Sequence, residues 1–172
     1  MKINMEEAVT GMESILHYNF KDASTLWEAL QAPGSGVCYA GSRRIMSDGN
    51  KRLALKGDAA MTYEIVQQWY SRNLPRGKSA NTNVRKFELC SNIFSIVEAS
   101  NACGSLLSNE NLQRLCLSHG IDRFINLNPS SKGYVSPNTM SDTMEAIMGA
   151  VVEDGGQEAL REVMQTLGIY FP

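Results

Sequence analysis

The sequence predicts an all-α fold, and three observations point that way. Apolar residues recur at helical spacing through most of the chain, and no segment shows convincing strand alternation. Clusters rich in glycine, proline, serine, asparagine and aspartate, at 33–36, 47–49, 128–133 and 154–156, divide the chain into helix-length pieces. The 172 residues are expected to form one domain, 1–172, with a sizeable core of its own.

Each element follows from local pattern. Residues 6–17 carry Ala8, Val9, Met12, Ile15 and Leu16 on one helical face. Asp22 or Ser24 can cap a second helix, 25–31, that turns Leu26, Trp27 and Leu30 inward. Residues 33–49 read as a loop. A long helix from about Asn50 to Tyr70 follows, and its apolar residues Leu53, Leu55, Ala59, Ala60, Met61, Ile65, Val66 and Trp69 cover more than one stripe. That pattern predicts a central helix contacted from several sides. Helices are expected over 80–99 and 109–118, with a helical turn at 121–125 and a loop at 128–133. Thr139 or Ser141 is expected to start a helix over Asp142–Glu153, stopped by Asp154-Gly155-Gly156, and a last helix runs from Gln157 to Leu167. Ser91-Asn92 recurs as Ser108-Asn109, so 93–109 is either an insertion that lengthens a helical hairpin or a chance recurrence.

Composition narrows the function. A net charge of −2 and a pI near 5.7 provide no global attraction to nucleic acid, so phosphate binding would need a local basic patch or bound cations. The best such patch is Arg76, Lys78, Arg85 and Lys86, each of which also reads as part of a solvated face. Cys38, Cys90, Cys103 and Cys116 form no C-x-x-C pair and only two histidines, His17 and His119, are present, which argues against zinc and against a thioredoxin-like centre. Trp27, Trp69 and the nine methionines read as core residues. No apolar run is long enough for a membrane span, and the acidic N-terminus lacks the features of a secretory signal or mitochondrial presequence. The expected compartment is cytoplasm or nucleus.

The chemistry lies in three acids. Asp142 and Glu145, three apart, share a helix face, and Gly149 leaves room there for another helix to approach. Asp58 follows Gly57 in the long helix and supplies a third carboxylate. Acids beside an apolar helix repel one another, and a hard divalent cation relieves the conflict. The alternative is that Asp142 and Glu145 only favour a helix N-terminus and Asp58 only faces solvent.

Five stretches, in order, resemble the ribonuclease III catalytic domain. Met12–Asp22 with Leu26 and Glu28-Ala29-Leu30 resembles "ILGYxFKDxxLLxEAL". Asn50–Met61 resembles the signature "NERLEFLGDAVL". Ser108–Leu112 and Gly120–Ile125 resemble "SNxxLA" and "GLDxYI", and Ser141–Gly156 resembles "ADTVEAIIGAIYLDGG". The resemblance covers about residues 12–168. It implies an all-α endonuclease-domain fold, a homodimer, a double-stranded RNA substrate and Mg²⁺, with Mn²⁺ as a substitute, held by Asp58, Asp142 and Glu145. Asp58 and Glu145 are the catalytic residues it implies; no small-molecule cofactor and no membrane partner are expected. Two positions depart from the family pattern. Ala54 replaces the glutamate ligand one turn before Asp58, and Lys51 replaces the glutamate associated with the dimer interface. These departures set two expectations against each other: an active nuclease in which water or an oxygen such as that of Asn50 fills the vacant place, as in the minimal bacterial branch, or a silent RNA-binding or assembly protein. The chain closes soon after its last helix, so RNA affinity is expected from the dimeric catalytic surface or from a partner, with little sequence specificity.

Overall fold

A computed structural model describes residues 4–37, 39–40, 43–44, 47–73 and 97–171. Helix α1, Met5–Leu16, opens where the Asn4 side chain accepts a hydrogen bond from the Glu7 amide at 2.8 Å. It closes on His17, whose φ of 52° ends the helix in the left-handed conformation. Its buried face is Ala8, Val9, Met12 and Leu16, with Ile15 half-buried beside them. Helix α2, Ala23–Ala29, lies two residues earlier than the expected 25–31, because of the two candidate caps it is Asp22 that accepts from the Ser24 amide; it buries Leu26 and Trp27.

Among its described residues, the 33–49 segment departs from a plain loop in a two-residue antiparallel ladder of β1, Tyr39–Ala40, and β2, Arg43–Arg44. Gly49 then turns the chain with φ 61°, and a Cβ there would lie 2.6 Å from the Gln31 carbonyl oxygen. Helix α3 is Lys51–Asn73. Residues 97–106 form α4, α5 is Asn109–Ser118, and short 3₁₀ turns cover Asp122–Phe124 and Pro129–Ser131. Of the helix expected at 80–99, residues 80–96 lie outside the described residues, as do Arg76, Lys78, Arg85, Lys86, Cys38 and Cys90.

Helix α6, Pro137–Thr166, is broken at Gly156, whose φ of 76° and ψ of −168° separate two helices at the place where the Asp-Gly-Gly run predicts a stop. Its start differs from the expectation. Ser136 caps it, accepting from the Thr139 amide at 3.2 Å, with Pro137 at the first turn, so Asp142 and Glu145 stand well inside the helix. They are therefore not acids serving a helix N-terminus.

The centre of the fold is α6, not α3. Residues 146–151 are buried on every side, and α2, α3 and α5 all pack on this helix. Helix α3 buries one face, Leu53, Ala54, Gly57, Met61, Glu64 and Ile65, while Leu55 is 75% and Val66 39% exposed. The expectation of contact from several sides fails because those apolar residues line the side of α3 that faces away from α6. Trp27 is in the core; Trp69 is only half-buried against it.

Asp154 ties the end of the first α6 segment to the α1–α2 turn. Its carboxylate accepts from the Tyr18 hydroxyl at 2.6 Å and from the amides of Lys21 and Asp22 at 3.0 and 2.9 Å. Burial opposes its charge, yet these donors hold its acidity below the ordinary carboxylate value.

Candidate metal centre at the crossing of α3 and α6

Helices α3 and α6 run side by side in the same direction. Lys51 meets Asp142 near their starts, Gln157 donates to the Ala60 carbonyl at 3.2 Å, and Arg161 meets Glu64 further along. Between these points the backbones touch through two glycines. A Cβ on Gly57 would strike the Glu145 carbonyl oxygen and lie 2.7 Å from the Gly149 nitrogen, and one on Gly149 would strike the Leu53 carbonyl. The approach anticipated from Gly149 is present, and it places Asp58 on α3 close to Glu145 on α6.

Glu145 is half-buried, and its acidity records the company it keeps. Burial, then the charge of Asp58, then that of Asp142 push its carboxyl up to about 7, with Lys51 pulling the other way. Asp58 is exposed. Asp142 is half-buried, and its Oδ2 lies 2.6 Å from the Lys51 ammonium. Lys56 pairs with Glu153 at the far side of the crossing.

The three acids thus share one neighbourhood without forming a closed cage. Among the described residues, no group of three His, Cys, Asp or Glu side chains could hold a metal ion as they stand. In kind the donors still fit a hard divalent cation: they are carboxylates, with no thiolate or imidazole, and Mg²⁺ is commonly bound through one or two carboxylates and several waters. Asp58 and Glu145 would offer carboxylates to such an ion, while Lys51 engages Oδ2 of Asp142.

Ala54 is 3% exposed, so the position one turn before Asp58 is filled by a methyl group facing the core. Asn50, the oxygen suggested for the missing ligand, turns inward at 1% exposure. Its amide donates to the Ala29 carbonyl at 2.9 Å and to Thr143 at 3.2 Å, and its enclosed Oδ1 has no hydrogen-bond partner among the described residues. It braces the start of α3 against α2 and α6.

One buried charge was missed by sequence reasoning. Glu64 is fully buried and receives Arg161 Nε at 2.6 Å, Gln68 at 3.1 Å and Gln157 at 3.2 Å. Burial raises its pKa, but these donors outweigh that and hold it below the usual value. The available signal was spacing: Glu64 stands seven residues after Gly57, two turns along the face that meets α6. It borders a cleft of about 610 Å³ that also includes Arg72, Arg161 and Tyr170. His17 and His119 sit at helix ends, and Cys116 is a buried free thiol.

The architecture matches a known nuclease. It aligns with the nuclease domain of ribonuclease III from Campylobacter jejuni at a TM-score of 0.66 and 21% identity, over 95% of this chain and 96% of that one. The fold is that of a ribonuclease III nuclease domain. The sequence resemblance points to ribonuclease III as well. Ribonuclease 3 of Symbiobacterium thermophilum is 30% identical over 156 residues, 89% of this chain and 57% of that protein. The Caldanaerobacter subterraneus subsp. tengcongensis enzyme of that name is 27% identical over 159 residues, 92% of this chain and 61% of that protein. No family model matches the chain. Its matches span about half to three fifths of the length of these ribonuclease III relatives. No helix among the described residues is long and apolar enough to cross a membrane.

Proposed function

We propose that this chain is an endoribonuclease that cleaves double-stranded RNA with Mg²⁺, or with Mn²⁺ in its place, and acts as a homodimer. The observation that carries the reading is the gathering of Asp58, Asp142 and Glu145 at a glycine-lined helix crossing in a ribonuclease III nuclease-domain fold. Asp58, Asp142 and Glu145 would hold the cation. When bound, that ion supplies Lewis-acid activation of a water and neutralises charge at the phosphodiester. Without the ion, burial and the charges of Asp58 and Asp142 raise the Glu145 carboxyl to about 7, and a divalent cation there would relieve that repulsion. Lys51, paired with Asp142, adds a positive charge at the edge of the site. A-form RNA is recognised by its shape, phosphates and 2′-hydroxyls, so little sequence specificity is expected.

The homodimer is supported by the outer side of α3. Leu55, Tyr63, Val66 and Tyr70, 75%, 54%, 39% and 53% exposed, form a row at helical spacing opposite the face that meets α6. A second Campylobacter jejuni nuclease-domain structure, 22% identical to this chain, concerns flexibility in that domain's region involved in dimer formation.

A second reading, a silent RNA-binding or assembly protein, is favoured by one feature, the Lys51 ammonium on Asp142 with Ala54 beside it. Incubation of purified protein with long duplex RNA and Mg²⁺ separates the two. The enzyme reading expects fragments with 5′-phosphates and short 3′ overhangs, lost in Asp58→Asn. Duplex binding without scission, unchanged by that substitution, supports the second reading instead.

A further inference from the structure

Lys51 and Asp58 are seven residues apart, two turns, and so lie along one edge of α3 beside the crossing. The Lys51 ammonium reaches across to α6 and sits 2.6 Å from Asp142 Oδ2. The pair is accessible, with side chains 53% and 27% exposed, and ion pairs this open contribute little to folding. The contact engages Oδ2 of Asp142, and among the described residues no three acids stand close enough to hold an ion in this arrangement. A hard divalent cation carries twice the charge of an ammonium and prefers carboxylate oxygen.

We propose that Lys51 is a tethered cation that competes with the divalent metal for Asp142, so that Asp142 becomes a ligand only when the ammonium swings away. This rests on the reading of Asp58, Asp142 and Glu145 as a metal site. In the ammonium-held form the metal binds weakly through Asp58 and Glu145. In the released form it gains the third carboxylate. A lysine in this place thus makes metal loading a choice between two cations, one tethered and one free.

Binding of Mn²⁺ to the full chain, measured by isothermal titration calorimetry without RNA, tests the idea in four proteins: wild type, Lys51→Met, Asp142→Asn and the double variant. Lys51→Met keeps the length of the side chain and removes its charge at an exposed position. The expected result is Mn²⁺ affinity tightened roughly tenfold by Lys51→Met. Asp142→Asn is expected to cost little in the wild type and to cost most of that gain in the Lys51→Met background. Simple removal of a nearby positive charge would raise affinity alike whether or not residue 142 is an acid. An equal cost of Asp142→Asn in both backgrounds, or an unchanged affinity in Lys51→Met, overturns the proposal and leaves the metal site standing. Absence of Mn²⁺ binding in both wild type and Lys51→Met overturns the metal site and the proposal together.

Discussion

Gly57 on α3 lies directly on the Glu145 carbonyl of α6, with no room for even a methyl group between the two helices. That contact sets how closely the Asp58 side of α3 approaches Glu145. Gly57→Ala is therefore expected to destabilise the fold by about 4 kcal/mol, since backbone must move rather than a side-chain tip. Gly104→Ala is the control: among the described residues nothing stands within 4 Å of a Cβ there, in helix α4, and a gain of roughly 0.5–1 kcal/mol is expected. Urea unfolding of the two variants gives the comparison.

Glu145 predicts a pH dependence of definite sign. Its carboxyl is raised from 4.5 to about 7, so the metal-free folded protein holds the proton more tightly than the unfolded chain. Stability should then fall as pH rises from about 4.5 to about 7 and level off above that window. Glu145→Gln should remove this slope and exceed wild type above pH 7 by about 1–2 kcal/mol, the figure being kept small by partial exposure. Thermal unfolding in chelator across pH 4–8 reads the effect. Metal binding should strengthen as pH rises through the same window, because the ion needs the carboxylate.

The Glu64–Arg161 pair should matter more to folding than any ion pair at the crossing. Arg161→Met leaves a fully buried carboxylate without its cation, and a loss of about 3 kcal/mol is expected at pH 7. Glu64 is held below its ordinary pKa, so its contribution is present above the unfolded value of 4.5 and is lost as pH falls through the lower folded value. The variant's deficit should shrink near pH 4, where the stranded acid takes a proton, and Glu64→Gln in the same chain should recover part of it. Denaturant melts at the two pH values check both statements.

Leu55 carries the homodimer reading. A leucine 75% exposed beside Tyr63, Val66 and Tyr70 would contribute about 1.5–3 kcal/mol on burial against a second copy. Leu55→Asp is expected to shift sedimentation towards monomer with little change in the unfolding midpoint of the subunit. An unchanged oligomeric state would remove that face from the account.

Much of the fold was legible in local chemistry. Asp22 caps α2, Gly156 breaks the last helix, and α5 spans 109–118 as read. What escaped was direction. Leu55 and Val66 have the same apolar character as Leu53 and Ile65, and only the position of α6 decides which pair is covered. The start of α6 was placed late because the cap at Ser136 precedes the run of apolar residues that marks the helix. At the candidate site, Gly149 foretold the close approach, and the spacing of Asp142 and Glu145 foretold their shared face. Lys51 was legible as an added cation, but its contact with Asp142 was not, because that pairing depends on two helices distant in sequence meeting in parallel.

The central claim is that the acids at the α3–α6 crossing bind a divalent ion. Crystals of the protein soaked in Mn²⁺ and measured for anomalous scattering test it most directly. The account predicts an anomalous peak between the Asp58 and Glu145 carboxylates, absent in Glu145→Gln. No peak at the crossing, or one that survives the loss of the Glu145 charge, would contradict it.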